Sequence, residues 1–158
     1  MSIAARGEVH DQTYYYPLRV YYEDTDAGGI VYHANYLRFA ERARTELLRF
    51  MGFNQIELRE TDDILFVVKT INVDYMKPTR LDDSLVVRVE ILRFGRSSFT
   101  LRQTICFDSD TRRAQHTLDI AAQMDVTLVC INSKAKPVRI SEKIRSAFES
   151  HLKVLDAA

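Results

Sequence analysis

Partway along this chain the hydrophobic period changes, and that change restricts the fold more than any other feature. Before Gly52 the apolar residues Leu37, Ala40, Ala43, Leu47, Leu48 and Met51 recur at helical spacing, with Arg44 on the same stripe. Arg38, Glu41, Arg42, Glu46 and Arg49 fall largely elsewhere, and Arg42 and Glu46 form a charge pair one turn apart. The spacing predicts one amphipathic helix over about 33–51, with Gly52 at its left-handed exit. From Ile64 onward the period is two. A run over 64–76 starts apolar and then sets Ile71, Val73 and Tyr75 against Thr70, Asn72 and Asp74 before Pro78 ends it. Leu85, Val87, Val89 and Ile91 mark a further strand, Phe99 to Phe107 another, and Leu118 to Cys130 a long last one. A helix with a single apolar stripe, followed by four strands joined by hairpin turns, predicts an α+β domain with the helix lying on one face of an antiparallel sheet.

The remaining segments are shorter. Residues 1–13 lack periodicity and are expected to be a disordered leader. An aromatic, β-branched strand over 14–22 follows. The polar stretch 54–63 fits either a loop or a short helical turn. Ser141 has the place of an N-cap for a final helix, with Glu142 in its first turn. The expected organisation is one domain over 14–150 and a tail over 151–158.

Composition removes several function classes. The 158 residues carry 22 basic and 22 acidic side chains, so net charge gives no case for a general nucleic-acid binder. No stretch approaches the ~20 apolar residues of a membrane span, and the polar N-terminus has no apolar signal core. Cys106 and Cys130 lie in apolar strand-like runs and read as buried free thiols, with no metal-ligand spacing near them. These features predict a cytoplasmic protein without cofactor or metal. His10, His116 and His151 have no constellation around them.

What precedes the helix is unusual. Asp24, Asp26, Gly28, Gly29, His33, Asn35 and Tyr36 crowd onto one helix N-terminus, where unpaired N–H groups and partial positive charge can polarise a carbonyl. An ionised Asp26 in that setting can attack a thioester carbonyl or deprotonate a water that does so; equally, it can serve only to shape the Gly28–Gly29 bend as an Asx turn. Asp24 reads as a turn or hydrogen-bonding residue. His33 is a helix-start histidine, able to orient water or merely to cap. Tyr22, Tyr32 and Tyr36 are either acyl-pocket walls or core. Arg96, Lys134, Lys136 and Arg139 are either phosphate contacts or solvated turns.

The run Tyr22-Glu23-Asp24-Thr25-Asp26-Ala27-Gly28-Gly29-Ile30-Val31-Tyr32-His33-Ala34-Asn35-Tyr36, followed by Glu41-Arg42-Ala43-Arg44, resembles the signature of the 4-hydroxybenzoyl-CoA thioesterase family, and most closely its Tol-Pal-associated, YbgC-type branch of acyl-CoA thioesterases. The resemblance extends from about residue 16 through the last strand. It implies a hot-dog fold and hydrolysis of an acyl-CoA to free acid and coenzyme A. It puts Asp26 at the catalytic carboxylate, as base or nucleophile, and the His33 amide at the group that polarises the carbonyl. It also favours Arg96 and the Lys134–Arg139 segment, with Lys134 and Lys136, as contacts for coenzyme A phosphates. Tyr22, Gly29 and Tyr32 stand beside them as candidate substrate-binding residues on their own chemistry. The implied assembly is a homodimer, doubled into a homotetramer, with partner residues near Phe66 to Lys69 facing Asp26. The 64–76 strand suits that role, since Lys69 is its only charge before Asp74 and such an edge invites pairing. Two other classes share the groove. A non-catalytic acyl-CoA or acyl-carrier-protein binding module would not need the Asp26 carboxylate. A dehydratase would need a histidine and an acid on the helix itself. A link to the Tol-Pal system comes only with the branch.

Overall fold

The computed structural model describes residues 7–108 and 119–156. Strands β1 (Glu8–His10) and β2 (Thr13–Arg19) lead, through a 3-10 turn at Tyr22–Asp24, to helix α1 (Asn35–Phe50) and helix α2 (Gln55–Asp62). Strands β3 (Leu65–Tyr75), β4 (Ser84–Phe94), β5 (Ser98–Phe107) and β6 (Ile120–Ile131) follow, and α3 (Glu142–His151) ends the chain. All neighbours in the sheet are antiparallel, in the order β1-β2-β4-β5-β6-β3. The α+β expectation holds: α1 lies against β2, β4 and β5, and the whole is a hot-dog arrangement of a long helix held against a six-stranded antiparallel sheet.

The leader departs from expectation. Residues 8–10 form a strand because Asp11 and Gln12 both take positive φ, at 49° and 59°, and this tight turn folds Val9 back opposite Tyr14. Hydrophobic periodicity gave no hint of it, since three residues are too few to show a period. The first long strand also ends earlier than expected, at Arg19, before the 3-10 turn. The stretch 151–158 is packed as far as it is described. Leu152 is buried, Val154 bridges to Ile91, and the Leu155 N–H donates to the Ile91 carbonyl at 2.8 Å. Most of the connection between Phe107 and the last strand, with His116 and Leu118, lies outside the described residues.

Helix α1 buries Tyr36, Phe39, Ala40, Ala43, Leu47 and Leu48. Phe39, absent from the predicted stripe, is fully buried, while Leu37 is only half-buried. Ala40 and Ala43 let the helix approach the sheet closely enough for the buried Gln103 of β5 to donate to the Ala40 carbonyl at 2.9 Å. Gly52, at φ 91°, ends the helix with its N–H on the Arg49 carbonyl, and a side chain there would meet only open space, so backbone conformation is what calls for glycine.

The 54–63 segment proves helical. The Asn54 side chain accepts from the Ile56 and Glu57 N–H groups at the start of α2, and Asp63 closes it in the left-handed region. Asn54→Ala should cost about 1 kcal/mol of stability, read as a lower urea midpoint with unchanged slope. The Ser141 cap is present too, accepting from the Ile144 N–H.

Among the described residues strand β3 pairs with β6 alone, and it is one edge of the sheet, with β1 the other. Val67 and Val68 on it are exposed, as are Tyr75 and Met76 at its far end.

Candidate active site

Strand β2 ends at Arg19 and the chain then makes a small stitched structure before α1. Thr25 bridges Val31, and the Asp26 N–H donates to the Ile30 carbonyl at 2.9 Å, enclosing Asp26 to Ile30 in a tight turn. Gly29 sits at φ 79° with open space around it, so the bend itself requires glycine. The segment after Pro78 holds this turn from behind. The Val31 N–H donates to the Thr79 carbonyl, Ile30 bridges Arg80, and the buried Tyr36 hydroxyl lies 2.8 Å from Thr79 Oγ1.

The two neighbouring aspartates have different environments. Asp24 is buried, with one oxygen accepting from the Tyr21 N–H and the other from Asn35 Nδ2, both at 2.8 Å. Its carbonyl accepts from the Tyr32 N–H. Asp24 therefore fastens the start of α1 to the turn, and both carboxylate oxygens are engaged. Asp26 is exposed. Its Oδ1 accepts from the Gly28 N–H at 2.8 Å, and among the described residues its Oδ2 has no partner. An Asx turn is thus present, yet it leaves one carboxylate oxygen free toward solvent.

His33 and Ala34 precede the first turn of α1. Among the described residues no acceptor is bonded to either N–H, and the N-cap is the aliphatic Ala34, whose side chain satisfies nothing. The helix thus presents its positive end uncapped. The exposed His33 ring lies against Tyr32, centroids 4.5 Å apart, and edge-on to Tyr75 at 6.4 Å. Tyr75 donates its hydroxyl to the His33 carbonyl at 2.9 Å, tying the end of β3 to the helix start. A cleft of about 250 Å³ opens here, lined by Ile30, His33, Tyr36, Tyr75, Met76 and Lys77 among others. Of the tyrosines picked from sequence, Tyr22 and Tyr32 are exposed and only Tyr36 is in the core. Tyr75 and Met76 close the 64–76 run expected as a strand, and Lys77 lies just past it. The signal available was the Pro78 stop directly after them, which delivers a strand terminus to the helix start.

The basic residues stand elsewhere. Arg96 accepts at its carbonyl from the Ile140 N–H, beside the turn after β6. Lys134 and Lys136 lie in that turn, their N–H groups on Asn132 Oδ1, and Asp63 receives both the N–H and hydroxyl of Ser133. This is the Leu65–Ile131 end of the sheet, whereas the acidic turn is at the Tyr75–Ala122 end. The two ends of β3 are ten residue steps apart, about 33 Å. One protomer therefore does not bring Arg96, Lys134 and Lys136 to Asp26.

Among the described residues no three His, Cys, Asp or Glu side chains converge as a metal site would need, and no helix is long and apolar enough to cross a membrane. Both cysteines are buried free thiols, and burial pushes each up to about 11.

Comparison with known proteins gives consistent results. Residues 28–114 match the model of the thioesterase superfamily. The acyl-CoA thioesterase YbgC of Haemophilus influenzae is 44% identical over 144 residues, covering 90% of this chain and 98% of its own. Among solved structures, a gentisyl-coenzyme A thioesterase superposes with a TM-score of 0.72 at 25% identity, covering 83% of this chain and 98% of that one. A 4-hydroxybenzoyl-CoA thioesterase with its ligand bound has a TM-score of 0.77 at 16% identity, over 86% and 98% of the two chains, which shows the shared fold.

Proposed function

This chain belongs to the thioesterase superfamily, as an acyl-CoA thioester hydrolase, and from that premise we propose that Asp26 carries its chemistry. The observation behind the assignment is the contrast between two carboxylates two residues apart: Asp24 is buried with both oxygens engaged, while Asp26 is exposed with one oxygen free. As a base, Asp26 takes a proton from water as the water oxygen bonds to the thioester carbon. The C–S bond then breaks, and the coenzyme A thiolate leaves and is protonated. As a nucleophile, Asp26 bonds to the thioester carbon, the C–S bond breaks and coenzyme A leaves as the thiolate, and water then opens the acyl anhydride to the free acid and the Asp26 carboxylate. The His33 N–H would donate to the carbonyl oxygen as negative charge develops there, a contribution of about 3–4 kcal/mol for one preorganised donor. Tyr22, Gly29 and Tyr32 would border the acyl group. The enzyme would work in the cytoplasm, with acyl carrier protein as a second acyl donor.

The position of the basic residues gives this reading its assembly. If β3 pairs antiparallel with β3 of a second copy, the Tyr75 end of one protomer meets the Leu65 end of the other. That brings Arg96, Lys134 and Lys136 of the partner subunit toward Asp26, and covers the exposed Val67, Val68, Tyr75 and Met76. A homodimer is then the smallest unit with a whole site, and a homotetramer is two of these.

Released thiol, measured with short and long acyl-CoAs, tests the activity. A purified, folded protein that releases none would leave the chain a binding module. Neutralising Lys134 and Lys136 together should raise KM, most strongly at low salt, with kcat little changed. Kinetics identical to wild type at every ionic strength would make those lysines a solvated turn.

A further inference from the structure

Three backbone polar groups around His33 are engaged, and together they fix the direction of a fourth. The Tyr32 N–H donates to the Asp24 carbonyl at 2.9 Å, and the Tyr32 carbonyl accepts from the Asn35 N–H at 2.8 Å. The His33 carbonyl accepts from the Tyr75 hydroxyl at 2.9 Å. The His33 N–H, the group proposed to polarise the thioester carbonyl, has no acceptor among the described residues. A trans peptide is planar, so holding its carbonyl also holds the N–H on the far side of the same plane. The Asn35 N–H does this for the peptide that carries the His33 N–H. Tyr75 does it for the next peptide, and His33 is then clamped between two fixed planes.

Of these ties only the one from Tyr75 comes from outside the turn and the helix, and its support is rigid. Tyr75 ends β3 opposite Ala122, and just beyond it the Met76 and Lys77 N–H groups both donate to the Ala121 carbonyl. The Tyr75 ring stands edge-on to buried Tyr36, centroids 5.5 Å apart. Tyr36 is fixed in turn, its hydroxyl 2.8 Å from Thr79 Oγ1 and accepting from the Thr79 N–H at 3.2 Å. Burial, and then neighbouring Tyr36, push the Tyr75 phenol above the ordinary tyrosine value, so at neutral pH it keeps the proton it donates.

We infer that Tyr75 is a positioning residue for hydrolysis: its hydroxyl holds the His33 backbone so that the His33 N–H meets the carbonyl oxygen as charge develops there. The inference rests on the thioesterase reading and extends it to a strand end 42 positions away in sequence. Tyr75 acts through His33. A donor that swings must be ordered during the reaction, whereas a held one needs no reorganisation.

Tyr75→Phe removes the hydroxyl and keeps the ring against Tyr36, and at a half-exposed position the fold survives it. The substrate is the straight-chain acyl-CoA that the wild type hydrolyses fastest. Its kcat should fall about tenfold with KM unchanged, part of the 10²–10³-fold that loss of a whole donor costs. A second readout excludes a merely structural tyrosine, which would lower the melting temperature alone. It is the infrared stretch of the thioester carbonyl, isolated by ¹³C labelling, of the same acyl-CoA bound to full-length Asp26→Asn protein. That band should lie below its position in the free ligand, and adding Tyr75→Phe should move it back toward the free value. A wild-type kcat in Tyr75→Phe, or a band that the substitution leaves in place, would overturn the inference. So would a Tyr75→Phe protein that sediments as a smaller species than wild type, because the lost activity would then belong to assembly at the β3 edge. A wild-type protein that releases no thiol from short or long acyl-CoAs ends the hydrolase reading and the role of Tyr75 with it. An active wild type matched by Tyr75→Phe ends the role of Tyr75 alone.

Discussion

Asp26→Asn should lower turnover of acyl-CoA by about 10²–10⁴ while the protein remains folded and binds substrate. The substitution keeps the side chain's size and an oxygen able to accept from the Gly28 N–H, so the Asx turn survives it. What it removes is the negative charge, and with it the base or nucleophile. Were Asp26 only a turn former, the cost would be about 1–2 kcal/mol of stability at most, with hydrolysis nearly intact. The parallel change Asp24→Asn separates the two aspartates by a different readout. Asp24 is buried and accepts from the Tyr21 N–H and from Asn35, so its loss should appear mainly in thermal stability and in order at the start of α1. A stable Asp26→Asn enzyme working at the wild-type rate would move the chemistry to another group.

The sequence revealed the layers of this fold more readily than its site. One long helix and four period-two strands were visible because each buries a single face, and burial imposes a period. Gln103 and Phe39 show where that reading stops. Gln103 occupies an inward position on β5 because the close approach of Ala40 offers it a carbonyl, which no period reports. Phe39 is drawn into the core although it lay outside the predicted stripe. Strand β1 is specified by a two-residue turn rather than by hydrophobicity. At the site, local pattern identified the acidic turn and read Asp24 as a turn or hydrogen-bonding residue, but it carries no measure of the two aspartates' environments. Burial distinguishes them, and burial depends on Asn35 reaching back from the helix. Tyr75 and Thr79 were missed for a related reason. They reach the turn from 40 or more residues away, through the Tyr75 bond to His33 and the Thr79 bond to Tyr36.

The separation of the acidic turn from the basic turn makes the assembly testable without a view of the assembled state. In a two-fold dimer built on β3, each site takes Asp26 from one copy and Lys134 and Lys136 from the other. Consider a copy with Asp26→Asn mixed, after reversible dissociation, with a copy carrying Lys134→Gln and Lys136→Gln. In the mixed dimer one site inherits both defects. The other has an intact Asp26 facing intact lysines. Random reassortment makes half of the dimers mixed, so about a quarter of all sites should regain wild-type kinetics. At substrate far below KM that recovery should exceed the sum of the two parent proteins, each of which has only defective sites. If Asp26 and the lysines instead served one site within a single protomer, every site in the mixture would keep one defect and nothing would be regained. A breaker on the edge, Thr70→Pro, supplies the complementary result. Thr70 follows the bulge at Lys69 in the middle of β3, where a proline cannot donate to a partner strand. The variant should sediment as a monomer and lose hydrolysis, and a monomer with full activity would refute the shared site.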